Sequence, residues 1–139
     1  MKKNIVIFLL LTATLLFAVT EPARKALVVG NSAYQAGSLT NPENDAESIA
    51  EVLKSAGFEV ILTTNRNLRQ MEGDLRSFRQ SINKGDVALF FYAGHGVQVD
   101  GKNYLLPVDN KGIADNSELK RRAIDAQDYV NAMADSGAS

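Results

Sequence analysis

His95 is the one histidine of this 139-residue chain, and it stands between Gly94 and Gly96 directly after the run from Asp86 to Ala93. An imidazole titrates near neutral pH, so it can take a proton from one reacting atom and return it to another. Glycine on both sides lets the backbone turn sharply and bring a main-chain N–H close to a bound group. A histidine at a strand end can also do no more than hydrogen-bond a neighbouring carbonyl, so position has to decide between the two. Sites in parallel α/β sheets form in the crevice at the carboxyl ends of the strands, and a lone histidine there reads as a proton-transfer group. Asp45 is the second candidate. In the first turn of a helix it complements the helix dipole; facing the same crevice, it could pair with a cationic side chain of a ligand.

Other chemistries lack their parts. Cysteine is absent, which removes disulfides, thiolate zinc sites and a thiol nucleophile within these residues. Gly30 is followed by Asn31-Ser32-Ala33, neither a dinucleotide fingerprint nor a phosphate loop. Ser32 and Ser38 have no sharp-turn motif around them, so a serine triad lacks its elbow. No acidic cluster has calcium-loop spacing, and no metal or other cofactor is expected.

The elements that would position His95 can be read from periodicity. Lys25 to Gly30 is a short apolar run ended by glycine, the pattern of a strand buried on both faces. Asn31 to Pro42 reads as a loop. Asn44 and Glu47 approximate a capping box for a helix carrying Ala46, Ile49, Ala50 and Leu53 on one face, with Gly57 as its stop. Phe58 to Thr63 has strand composition, and Leu68, Met71, Leu75, Phe78 and Ile82 recur at helical spacing until Lys84-Gly85. Asp86 to Ala93 is the most apolar strand, read as the central one, and it delivers His95. Asp100-Gly101 between Val97-Gln98-Val99 and Lys102-Asn103-Tyr104-Leu105 predicts a two-residue hairpin. Ile124, Asp125 and Asp128, followed by Tyr129, Val130 and Met133, predict a last helix ending at Gly137. Alternating strands and helices of this kind specify the α/β class, with a parallel sheet covered by helices on both faces.

At 45% hydrophobic residues the length suits one domain with its own core. Fifteen Lys and Arg against sixteen Asp and Glu give a net charge of −1, so no basic field exists to hold nucleic acid. Met1-Lys2-Lys3 followed by the apolar stretch Ile5 to Val19 reads as an export signal over residues 1–22. It is short for a spanning helix, which needs about 20 apolar residues. The expected location is therefore the periplasm or the exterior, with membrane attachment only if the signal stays uncleaved.

Tyr92-Ala93-Gly94-His95-Gly96, Leu27-Val28-Val29-Gly30-Asn31-Ser32-Ala33-Tyr34, Asn41-Pro42-Glu43-Asn44-Asp45-Ala46 and Asn103-Tyr104-Leu105-Leu106-Pro107-Val108-Asp109 occur in that set together. In combination they resemble the caspase-like cysteine peptidases, especially bacterial members related to metacaspases, over about residues 24–139. The resemblance implies a three-layer α/β/α sandwich on a mostly parallel sheet, the caspase-hemoglobinase fold, and a polypeptide substrate. It makes His95 the histidine of a catalytic Cys-His dyad, Gly96 the residue whose N–H helps form the oxyanion hole, and Asp45 part of a pocket for Arg or Lys before the cut. In caspases the cysteine follows the histidine by about 50 residues, near position 145 on this numbering. The expectation is a C-terminally truncated catalytic domain, inactive alone; the alternative is a pseudoenzyme that keeps the fold as a peptide-binding or interaction module.

Overall fold

Four consecutive apolar residues, Ala26 to Val29, are fully buried in β1 (Arg24–Gly30), the spine of the computed structural model, which describes residues 21–139. The expected export signal, apart from its last two residues, lies outside the described residues. Parallel partners flank β1 on both sides: β2 (Glu59–Thr64) pairs Leu27 with Ile61, and β3 (Val87–Ala93) pairs Leu27 with Phe90. The order is β2-β1-β3, so β1 is central and β3 lies at the edge of this sheet. That corrects the reading of β3 as the central strand. Apolar composition marks burial of the two faces and does not report whether both edges are paired.

The chain moves from β1 to β2 through α1 (Pro42–Ser55), then crosses back over β1 to β3 through α2 (Leu68–Ser81). Crossovers of one hand running in opposite directions put their helices on opposite faces. Val28 packs with Ala46 and Ala50 of α1, while Leu27 and Val29 face Met71 and Phe78 of α2 and Tyr129 of α4 (Ala126–Asp135). The result is the expected three-layer α/β/α arrangement.

Helix starts follow local chemistry. Asn67 and Gln70 form a reciprocal capping box on α2, each side chain bonding the other's backbone N–H. Asp125 caps α4 by accepting from Gln127 N. The expected box at Asn44 and Glu47 is not used: α1 begins earlier, with Pro42 in its first turn and Asn41 in the cap position without a side-chain bond. Proline needs no partner for the N–H it lacks there, and its fixed φ suits a first turn.

After His95 the chain forms the hairpin β4 (Gly96–Val99) and β5 (Lys102–Leu105), with β6 (Ile124–Asp125) on the other side of β5. Asp100 and Gly101 have φ of 52° and 76°, as a hairpin turn with both central residues left-handed requires. A short 3-10 turn at Asn110–Gly112 and the helix α3 (Asn116–Arg122) connect β5 to β6. Neither was expected, because α3 is polar throughout except for Leu119, which joins Tyr34, Tyr104, Leu106 and Ala123 in a second, smaller core. Among the described residues no helix is long and apolar enough to cross a membrane.

Candidate active site

The register of the parallel sheet brings Gly30, Thr64 and Ala93 to one level, so three strands release their chains along the same edge. Gly30 lets α1 start against that edge. A Cβ at this residue would lie 2.5 Å from the Pro42 carbonyl oxygen and 2.7 Å from Ala46 Cβ.

Asn31, fully buried, ties the three exits together. Its N–H donates to Ala93 O (2.8 Å), its Oδ1 accepts from Arg66 N (2.9 Å), and its Nδ2 donates to Leu106 O (3.2 Å). Buried amides persist when their bonds are satisfied, and here one side chain satisfies backbone groups from two separate loops. Asn65 Oδ1 accepts from Ser32 N and Ala33 N, each at 2.9 Å, and Asn110 exchanges hydrogen bonds with both backbone groups of Ala36. The loop after β1 is therefore held at many points.

That fixed loop reaches His95. Nε2 of the imidazole lies 2.5 Å from the Gly37 carbonyl oxygen. A carbonyl only accepts, so Nε2 carries the proton, and Nδ1, which has no hydrogen-bond partner among the described residues, is the nitrogen free to take one. The carbonyl contact that could have been the residue's whole role thus selects the tautomer. The Tyr34 ring packs on the imidazole with centroids 4.4 Å apart.

His95 is half-buried and Gly96 is exposed. Leu106 N donates to His95 O (3.0 Å), which marks His95 and Leu106 as a hydrogen-bonding position of the antiparallel ladder. Bonding alternates along such a ladder, so the N–H of Gly96, opposite Leu105, is directed away from β5. A proton acceptor and a free N–H donor are therefore consecutive in the chain. Asp45 is exposed in the first turn of α1, with no hydrogen bond or ion pair to its carboxylate among the described residues. His95 is joined to the loop after β1; the Asp45 carboxylate bonds neither, and only its backbone N–H reaches the loop, at Asn41 O (2.9 Å).

Sequence reasoning gave no role to Asn31, Asn65, Gly37 or Asn110. The three asparagine side chains act by bonding backbone groups, and Gly37 acts through its own carbonyl, which leaves no periodicity to read. Clefts of about 430 Å³ beside Lys102 and Gln127 and about 370 Å³ beside Asp109 and Arg122 open elsewhere on the surface, and His95 lines neither.

A family model described as the caspase domain matches residues 23–138. The chain belongs to the caspase-domain family. Within it, 85 residues are 29% identical to the human mucosa-associated lymphoid tissue lymphoma translocation protein 1, covering 60% of this chain and 10% of that protein, and the mouse homologue matches equally. The chain thus spans about a tenth of the length of the curated relatives it matches. The crystal structure of protein GSU0716 from Geobacter sulfurreducens superimposes with a TM-score of 0.62 at 22% identity, over 81% of this chain and 45% of that one. At that identity the likeness concerns the fold: the caspase-like α/β architecture is shared.

Proposed function

We propose that this caspase domain serves cysteine-type endopeptidase chemistry in which His95 moves the proton. A thiolate attacks the peptide carbonyl, Nδ1 of His95 takes the thiol proton and passes it to the leaving amine, and the Gly96 N–H holds the developing oxyanion. Water then hydrolyses the acyl-enzyme with the same imidazole as base. The 139 residues contain no cysteine, so the thiol belongs to sequence outside them and the chain by itself is inactive. The observation that carries the reading is the Gly37 carbonyl on Nε2, which leaves Nδ1 unprotonated beside an outward N–H. Asp45, solvent-facing and unpaired on α1, supplies negative charge for Arg or Lys before the cut. Residues 1–22 export the protein.

The lack of a cysteine favours one rival reading, an interaction module that binds extended peptides without cleaving them. Translating the gene past codon 139 and assaying the longer polypeptide on Arg- and Lys-ending fluorogenic peptides separates the two. Hydrolysis that disappears in His95→Ala without loss of folding supports the enzyme. Peptide binding that survives His95→Ala, with no hydrolysis by either form, overturns it in favour of the module.

A further inference from the structure

Two phenols meet behind His95. Tyr34, from the loop after β1, and Tyr92, from the last turns of β3, place their hydroxyl oxygens 2.9 Å apart. Tyr34 Oη accepts the His95 backbone N–H at 2.7 Å. Tyr92 Oη lies 2.9 Å from the His95 carbonyl oxygen and 2.8 Å from that of Leu106, and Tyr34 Oη lies 3.3 Å from the latter. The protons can be distributed consistently: Tyr34 donates to Tyr92 Oη, and Tyr92 donates to the two carbonyls in a shared bond. Both peptide groups of His95 are then held by side chains rather than by a neighbouring strand alone.

Gly94 is shaped to this pair. A Cβ there would sit 2.4 Å from Tyr34 Oη and 2.7 Å from Tyr92 Oη, so glycine before the histidine is a requirement of the phenols and not only of the turn. Burial raises the pKa of both hydroxyls, Tyr92 far above the usual phenol range. They therefore stay protonated and donate throughout the range in which an imidazole titrates.

We infer that Tyr34 and Tyr92 are positioning residues that clamp the His95 main chain so that the imidazole meets the Gly37 carbonyl. Tyr34 acts twice, through its hydroxyl on the backbone N–H and through its ring against the imidazole. The inference rests on His95 being the proton-transfer group proposed above, and it adds two residues that act through His95.

The single histidine makes the test direct, since every imidazole signal belongs to His95. In the 15N-labelled full chain, exchange of the His95 amide and of the Nε2 proton is followed by NMR for wild type, Tyr34→Phe, Tyr92→Phe and Tyr129→Phe. Tyr129 is buried in the apolar cluster against which Tyr92 packs, but its hydroxyl bonds neither His95 nor the two phenols among the described residues, so it reports what loss of any buried phenol does. Losing one hydrogen bond of ordinary strength speeds exchange about tenfold. That is the result expected at both His95 protons in Tyr34→Phe, a smaller acceleration in Tyr92→Phe, and none in Tyr129→Phe. If Tyr34→Phe does not fold, Tyr92→Phe against Tyr129→Phe decides alone. In the longer, cysteine-bearing polypeptide, Tyr34→Phe lowers kcat about tenfold with KM unchanged. Unchanged His95 exchange in the folded tyrosine variants, or equal acceleration in Tyr129→Phe, overturns the clamp. Because the exchange readout needs no turnover, failure of the peptidase reading leaves this result standing, and failure of the clamp leaves peptidase activity untouched.

Discussion

β1 and β3 lie side by side in one sheet and are similarly apolar, yet Ala26 to Val29 are fully buried while every residue of β3 is half-buried. β1 has a partner on each edge and a helix layer on each face. β3 has one described partner, and its chain leaves the sheet to build the site. The difference separates two duties that composition alone merges: one strand supplies burial, and the other supplies a held but half-buried end that carries His95. Rigidity at that end comes instead from polar bonds, the Tyr34 and Tyr92 hydroxyls and the Gly37 carbonyl.

Paired truncations break the comparison if it is wrong. Leu27→Ala removes a side chain packed among Val29, Met71, Phe78 and Tyr129, and should cost about 3 kcal/mol in urea unfolding. Leu89→Ala on β3, half-buried, should cost about 1 kcal/mol, in proportion to the smaller area withdrawn from water. Equal losses would mean that the two strands share the core evenly.

The outer edge of β3 carries no strand among the described residues. An apolar open edge invites pairing with another chain, so light scattering should detect association that rises with concentration and weakens in Leu89→Lys. A monomer at high concentration would show that the edge is covered.

Much of this was legible beforehand, for physical reasons that differ by element. β1, α2 and the Asp100-Gly101 hairpin announce themselves because burial and turn geometry constrain residue type at short range. The place of β3 at the edge does not, since strand order depends on which strands meet, and α3 hides because one apolar residue, Leu119, anchors it. His95 was legible from its glycines and its strand. The bonds that orient it were not, because carbonyls and amides common to all residues make them.

The smallest effect sharpens the contrast on the far side of the hairpin. The Asp125 carboxyl is held below the usual carboxylate range, first by the Gln127 N–H and then by Lys102. A lowered folded pKa stabilises above the unfolded value and is lost as pH falls through the folded one. Asp125→Ala should therefore cost about 1 kcal/mol at pH 7, and the gap to wild type should close below about pH 4.

The most direct measurement concerns the imidazole itself. Long-range 1H–15N correlation on the neutral ring of the single histidine reports which nitrogen carries the proton. The account requires it on Nε2, hydrogen-bonded to Gly37, with Nδ1 bare; a ring protonated on Nδ1 would contradict it.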